Sequence, residues 1–328
     1  MATRPNSRDL RSRNFGRILS GRRLAYTCTV IVPAFFQSFH AALTPREACV
    51  GRARLAVASF RELLQRESPV GAAVTDVFAQ GSLVHRTTVV GAAGDHCCER
   101  TPFTVDVVAV LDLPANIDAR EATDRLMDGA RALPGFEVHR RDRSIRVRCP
   151  GGVDLGVIAA RPTDSGVRTK LEVPDHKCSR WRATDPKRLG DWYQTQQTRT
   201  GGRFARLSKM LKQWCQDDVP VAAHPPRVVI DVLLADAIAA PECDAEGVVQ
   251  ALDGLSWRLP VAGTIVVPNP SIPEEDLARD WSPEAISIYR RQVQQASLIA
   301  RAALLERNEE RARMLWKAVF RDRFPDHV

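Results

Sequence analysis

The chain has 328 residues, of which 44% are hydrophobic and 26% are charged, with eight cysteines and a net charge of +8. This length allows one large or two modest domains, and the composition is typical of a globular protein. The composition excludes a collagen-like chain, a disulfide scaffold and a wholly disordered protein. No apolar run is long enough to predict a membrane-spanning helix.

Most of the positive charge lies in the first 24 residues, which contain seven arginines and a single acid, Asp9. These residues contain too little apolar surface to fold alone, so we expect residues 1–24 to be a disordered basic tail rather than a signal peptide. The tail accounts for +6 of the net charge, which leaves +2 for the rest of the chain. This balance argues against a tRNA or poly(A) nucleotidyltransferase, because such enzymes need an extended basic surface for a polynucleotide.

The cysteines are scattered without the spacing of a disulfide framework or a zinc site. In a chain of this length they indicate reduced, mostly buried thiols, so we expect a cytoplasmic protein. His96-Cys97-Cys98 is the one cluster, and we interpret it as part of a loop because no Cys-x-x-Cys pair follows it.

Hydrophobic periodicity and turn signals predict a sheet in the first half of the chain and helices in the second. Residues 31–66 are expected to be mainly helical, with a break near Thr44 and Pro45. The first half adds strands at 74–79, 105–111 and 153–159, a helix at 119–133 and a hairpin within 136–148. After about residue 165 the pattern predicts helices at 185–198, 202–216, 226–239 and 246–253, and one long final helix capped by Ser282. Together these elements predict an α+β fold.

The segment 78–113 and the strand after it contain the residues most typical of catalysis. A predicted strand leads into Gln80-Gly81-Ser82, the next strand carries Asp106, and a third carries Asp154. Gly81 would let the backbone approach a phosphate, to which Ser82 and nearby amides could donate hydrogen bonds. Carboxylates on adjacent strands could hold Mg²⁺, which bridges phosphates and activates an attacking hydroxyl. This is the construction of a polymerase-like palm.

Taken in order along the chain, these motifs resemble those of the cGAS/DncV-like nucleotidyltransferases (CD-NTases), the bacterial relatives of cyclic GMP-AMP synthase and oligoadenylate synthase. The similarity covers roughly residues 31–325. Its motifs are Gln80-Gly81-Ser82 followed by Thr87, the strands around Asp106 and Asp154, VPDHKCSRWRATDPKRLGDW at 173–192, RFARLSKMLKQW at 203–214, and NPSIPEEDLARDW at 269–281.

The resemblance implies a polymerase-beta-like nucleotidyltransferase palm, a mixed sheet with flanking helices, and a C-terminal helical domain that closes the active-site cleft. The core would span residues 25–165 and the helical domain residues 166–328. Members bind nucleoside triphosphates, here most simply ATP, with Mg²⁺ or Mn²⁺. They join them into cyclic or linear oligonucleotide second messengers in antiphage (CBASS) signalling. The implied partners are therefore nucleoside triphosphates and CBASS accessory proteins.

The resemblance also implies roles for individual residues. Asp106, Asp154 and Thr104 would be the catalytic, metal-binding positions. Gln80, Gly81 and Ser82 would bind the nucleotide, with Ser82 on a phosphate. From the helical domain, Lys212, or Lys209 in its place, would contact the triphosphate as a compact positive charge.

One position departs from the family pattern, which places two acids two residues apart on the second strand. Here Thr104 stands at the first acidic position and Asp106 at the second. A threonine hydroxyl can bind Mg²⁺, or Asp95, Glu99 or Asp112 could supply the missing carboxylate. Alternatively, the protein is a catalytically impaired relative that binds nucleotide with a regulatory or sensing role, or an inactivated variant.

Aromatic residues of the second half invite two further expectations. The six tryptophans are expected to pack in the core, and Tyr193 is a candidate for stacking on a nucleobase. His85, just after the Gly-Ser turn, is interpreted as a solvated loop residue.

Overall fold

The computed structural model describes residues 32–90, 103–114, 116–163, 170–175 and 180–327. In chain order, the first half contains α1 (Val32–Leu43), α2 (Glu47–Arg66), β1 (Val74–Gln80), β2 (Phe103–Leu111), α3 (Ala119–Arg131), β3 (Glu137–Arg140), β4 (Ile145–Cys149) and β5 (Val153–Pro162). The second half contains β6 (Leu171–Pro174), β7 (Trp181–Thr184), α4 (Pro186–Arg199), α5 (Phe204–Asp218), α6 (Arg227–Ala237), α7 (Asp244–Arg258), α8 (Pro283–Leu305) and α9 (Glu309–Phe320). The α+β fold is as predicted. The basic tail at 1–24 and the cluster at 96–98 lie outside the described residues.

The strands form one mixed sheet with the order β1-β2-β5-β4-β3 among the described residues. β2 and β5 run parallel, whereas β1 pairs antiparallel with β2, and β4 pairs antiparallel with β5. β6 extends the end of β5 through pairs at Arg161 and Pro162, and β7 pairs with β6. Two strands thus follow residue 165, where the sequence predicted that strands largely end.

Alternation along β2 and β5 separates the two faces of the sheet. Val105 and Val107 of β2 are fully buried and belong to the core that α2 and α3 cover. Thr104 and Asp106 point to the opposite face, which becomes apolar further along the strand at Val108. The polar side chains therefore occupy one end of the face that α2 and α3 leave open.

The helical part has its own core, and α1 contributes to it. Phe36 of α1 contacts Trp316 of α9 edge to face, with ring centroids 4.9 Å apart, and Phe39 lies 4.7 Å from Phe320. The packing therefore divides the chain differently from the predicted boundary at residue 165, because α1 packs with the C-terminal helices and β6 with the sheet. Amphipathic periodicity predicts a buried face but does not identify the element that covers it.

The predicted long final helix is wrong in one respect, because the chain forms two helices there. α8 ends at Leu305, and Asn308 begins α9 by accepting a hydrogen bond from the Arg311 amide at 3.0 Å. Asparagine is a favoured N-cap, and the polar residues around it carry no apolar periodicity to continue the helix.

Of the described helices, none is both long enough and apolar enough to cross a bilayer.

The tryptophans provide a matched test of the helical core, because Trp316 is fully buried whereas Trp257 is 85% exposed. The sequence expectation that both pack in the core is wrong for Trp257. We expect Trp316→Ala to lower the free energy of unfolding by about 3–5 kcal/mol through loss of buried contacts. Trp257→Ala should change it by less than about 0.5 kcal/mol. Urea unfolding of both variants checks this, and equal losses would contradict the described core.

Candidate functional site

The turn after β1, which we call the Ser82 turn (residues 81–86), lies against the second strand. Gly81 has a left-handed backbone, with φ +74°, and a Cβ atom there would lie 2.6 Å from Asp106 Oδ2. A side chain at this position would collide with the carboxylate, so both the conformation and the close approach require glycine. Gln80 is the Cα partner of Asp106 in the β1–β2 pairing. The turn is thus placed directly beside this acid.

Hydrogen bonds hold the turn from within. The Thr87 amide donates to the Ser82 carbonyl at 2.8 Å, and the His85 amide donates to the Gly81 carbonyl at 3.1 Å. The Thr88 hydroxyl donates to Ser82 Oγ at 3.0 Å. Because Ser82 Oγ is the acceptor in that bond, its own proton remains available for a ligand oxygen.

Parallel pairing brings the three predicted metal positions onto one face of the sheet. Thr104 is the Cα partner of Asp154, and Asp106 is the partner of Gly156. Directly paired residues share a face, so Thr104, Asp106 and Asp154 all face the open side. Gly156 leaves room there, since a Cβ atom would lie 3.6 Å from Asp106 Oδ1.

The two carboxylates have different surroundings. Asp106 is reached by solvent and has no hydrogen-bond or ion-pair partner among the described residues. Surrounding protein atoms nevertheless desolvate its carboxyl and raise its pKa, while the charges of Arg143 and Arg227 oppose the rise. Asp154 is fully buried and forms an ion pair with Arg146 of β4, whose Nε lies 2.7 Å from Oδ2.

One oxygen of the buried carboxylate remains unsatisfied. Asp154 Oδ1 has no hydrogen-bond partner, although Arg148 Nε lies 3.7 Å from it. A buried acceptor without a partner is costly, so this oxygen is a fitting ligand for a cation. With the unpaired Asp106 carboxylate and the Thr104 hydroxyl, it supplies the hard oxygen donors that Mg²⁺ prefers. The described residues contain no cluster of three His, Cys, Asp or Glu side chains, so the donors that they provide here are two acids and a hydroxyl.

Of the predicted replacement acids, Asp112 lies among the described residues, and it does not complete this set. Asp112 follows the end of β2, six residues beyond Asp106 and thus roughly 20 Å along an extended strand. Asp95 and Glu99 lie outside the described residues.

Of the two candidate lysines, Lys212 is committed to a buried ion pair. Its Nζ donates to Asp231 Oδ2 at 2.6 Å, and both side chains are buried. A contact between Lys212 and a triphosphate stays a prediction, and it would require this ion pair to open.

Lys209 is the lysine whose ammonium has only neutral partners among the described residues. It is 5% exposed, and Nζ donates to Thr44 Oγ1 at 2.9 Å and lies 3.4 Å from His40 Nε2. Burial, followed by the charges of Arg206 and Arg86, lowers its pKa to about 8. The region around Lys209 therefore has excess positive charge that an anion would neutralise.

His85 is not the solvated loop residue that the sequence suggested. Its ring stacks on Tyr193 of α4, with centroids 3.9 Å apart and an interplanar angle of 9°. Burial lowers the pKa of His85 to about 4, so the stacked ring is neutral at physiological pH. One face of Tyr193 is thus covered by protein, which leaves this face unavailable to a nucleobase.

Sequence reasoning missed Arg146, His85 and Asp231 as members of the site. A signal existed for two of them. Arg146 and Arg148 alternate with buried residues on the strand that precedes Asp154, which puts both on its face. Asp231 interrupts an apolar helix, and a buried carboxylate needs a partner. No sequence signal indicated that His85 would pack on a helix far along the chain.

No family model matches the chain. The cyclic AMP-AMP-AMP synthase of an Acinetobacter species is 22% identical over 226 residues, which cover 67% of this chain and 65% of that protein. The match thus spans less than two thirds of the relative's length.

Solved structures share the fold over most of their length. The Bradyrhizobium diazoefficiens CD-NTase CdnG, solved with GTP, superposes with a TM-score of 0.72 at 17% identity, covering 89% of this chain and 96% of that one. E. coli MS115-1 CdnC, solved with ATP, superposes with a TM-score of 0.70 at 16% identity. The match covers 89% of this chain and 98% of CdnC. The same CdnC has also been solved in a complex with HORMA-deltaN. The chain therefore has the fold of these CD-NTase structures and is similar in sequence to a cyclic oligonucleotide synthase.

Proposed function

We propose that the protein is a Mg²⁺- or Mn²⁺-dependent nucleotidyltransferase that joins nucleoside triphosphates, ATP among them, into a cyclic or linear oligonucleotide messenger for antiphage defence. The observation that carries the proposal is the contact between the Ser82 turn and Asp106, with Asp154 on the neighbouring strand. A phosphate-binding turn beside paired carboxylates is the arrangement that phosphoryl chemistry needs. The synthase activity of the Acinetobacter relative supports the same conclusion.

In this proposal the chain's own residues bind and orient the substrate. Gly81 permits close approach of the triphosphate, and the free proton of the Ser82 hydroxyl donates to a phosphate oxygen. Asp106, Asp154 Oδ1 and the Thr104 hydroxyl would hold the divalent cation. The cation, when bound, neutralises phosphate charge and lowers the pKa of the attacking hydroxyl. Lys209 supplies a positive charge from the helical part, and residues 166–328 would close the cleft.

A second function, nucleotide binding without catalysis, is favoured by a specific observation. Thr104 provides a neutral hydroxyl where the resemblance implies a carboxylate, and Arg146 contributes a positive charge beside Asp154. Both features reduce the negative charge that two closely spaced dications would need. A protein of this kind would bind nucleoside triphosphate as a regulator or sensor.

Assembly with an accessory protein is part of the proposal. The complex of E. coli CdnC with HORMA-deltaN supports it by analogy of fold. A CBASS accessory protein is therefore a candidate partner of this chain.

The acids provide the first test of the proposed reaction. Purified protein is incubated with labelled NTPs and Mg²⁺ or Mn²⁺, and Mn²⁺ binding is titrated separately. We expect product from the wild type, and at least a roughly 100-fold loss in Asp106→Asn, since even outer-sphere changes at metal sites cost roughly 10- to 100-fold. Asp112→Asn is the matched control and should keep full activity.

Thr104→Asp separates the two candidate functions. For the catalytic function, we expect the wild type to make oligonucleotide. The carboxylate added by Thr104→Asp should tighten Mn²⁺ binding by about tenfold or more. Product from Thr104→Asp, with none from the wild type under any NTP mixture, would establish the binding function and reject native catalysis.

The lysine provides a pH test. Lys209 is protonated below its pKa of about 8 and loses its charge as the pH rises through that value. Because phosphate binds the charged form, we expect ATP affinity to fall above pH 8, by up to about tenfold per pH unit. His40 does not contribute, since burial lowers its pKa to about 4 and it is neutral throughout this range. ATP titrations at pH 7 to 9.5 measure the effect.

Lys209→Met is the matched variant for this titration. It should bind ATP more weakly at pH 7, and its affinity should no longer depend on pH in this range. An unchanged pH profile in Lys209→Met would assign the titration to another group and remove Lys209 from the phosphate site.

A further inference from the structure

We propose that Tyr193 is a positioning residue that ties the Ser82 turn to the helical part of the protein, through its ring to His85 and through its hydroxyl to Asp231. Neither Tyr193 nor His85 lies among the proposed metal ligands. The consequence for nucleotide affinity rests on the proposed function, whereas the connection itself rests only on contacts within the chain.

The anchor is the carboxylate of Asp231, which is 1% exposed. Tyr193 Oη and Lys212 Nζ both donate to Oδ2 at 2.6 Å, and Ser208 Oγ donates to Oδ1 at 2.5 Å. The charge is paired and both oxygens are satisfied, which is the condition under which a buried ion pair specifies one arrangement. The position of the Tyr193 ring is therefore fixed by three helices, α4, α5 and α6.

The stack connects this anchor to the turn. His85 is three residues after Ser82, and its amide donates to the Gly81 carbonyl, so its backbone is part of the turn itself. Its ring lies nearly parallel to Tyr193 at 3.9 Å between centroids. A displacement of the His85 ring would move the backbone that carries Ser82.

The turn needs such support because it contains a strained residue. Arg86, next to His85, has a left-handed backbone with φ +59°, although it is not glycine. A non-glycine residue in this region costs about 1 kcal/mol or more and persists only where its surroundings fix it. In addition to the hydrogen bonds within the turn, the stack holds His85, the residue before Arg86, against α4, so its loss should loosen the turn.

The test compares Tyr193→Leu and His85→Ala with Tyr193→Phe, which keeps the ring, and Thr195→Ala, an exposed control on α4. Amide hydrogen exchange of residues 81–88 is measured without nucleotide, together with ATP affinity and urea unfolding. We expect Tyr193→Leu and His85→Ala to speed exchange in the turn by roughly tenfold and to weaken ATP binding by a similar factor. Tyr193→Phe keeps the stacked ring but loses the hydrogen bond to Asp231, so it should speed exchange by an intermediate factor, and Thr195→Ala should match the wild type.

Unchanged exchange at 81–88 in both Tyr193→Leu and His85→Ala would overturn the proposal. Faster exchange with unchanged ATP affinity would keep the connection and instead reject nucleotide binding at the Ser82 turn. If Tyr193→Leu unfolds, His85→Ala decides, because His85 lies in the turn and is only partly buried, whereas Tyr193 is buried in the helical core.

Discussion

The parallel pairing of β2 with β5 is the constraint on which the candidate site depends. It sets Thr104 beside Asp154 and Asp106 beside Gly156, and it turns all of these residues to the face that α2 and α3 do not cover. If the pairing of these strands shifted by one residue, both aspartates would face the core and valines would be exposed. Burying the carboxylates in the core would make this register unfavourable. Parallel strands also require a crossover, and α3 with the β3–β4 hairpin provides it. That hairpin brings Arg146 to Asp154.

Charge compensation differs between the two parts of the molecule. In the helical part, Asp231 is fully satisfied by three donors and serves as a fixed anchor. On the open face of the sheet, Asp154 is only half satisfied and Asp106 has no partner among the described residues. Unsatisfied acceptors are expensive in a purely structural role, so these oxygens are suited to bind a cation with its substrate phosphates.

The Ser82 turn joins these two environments. On one side it contacts the Asp106 carboxylate through Gly81, and on the other it packs on α4 through His85. A nucleotide bound at the turn would therefore be positioned by the sheet and by the helices together. This explains how a turn can hold a strained Arg86 backbone while remaining open to a ligand at Ser82.

The sequence by itself predicted most of the helices and strands, the Gln80-Gly81-Ser82 turn and the positions of Asp106 and Asp154 on strands, but not β6, β7 or the break at Asn308. These follow from local rules: period-two alternation on strands, caps on helices, and glycine where the backbone is left-handed. Only the tertiary structure decided that α1 packs with α9, that Lys212 is paired with Asp231, and that His85 stacks on Tyr193. Each of these contacts joins residues distant in the sequence, and periodicity reports that a side chain is buried but not what it is buried against. The partner of a buried charge is chosen by the packing of whole elements, which no local pattern encodes.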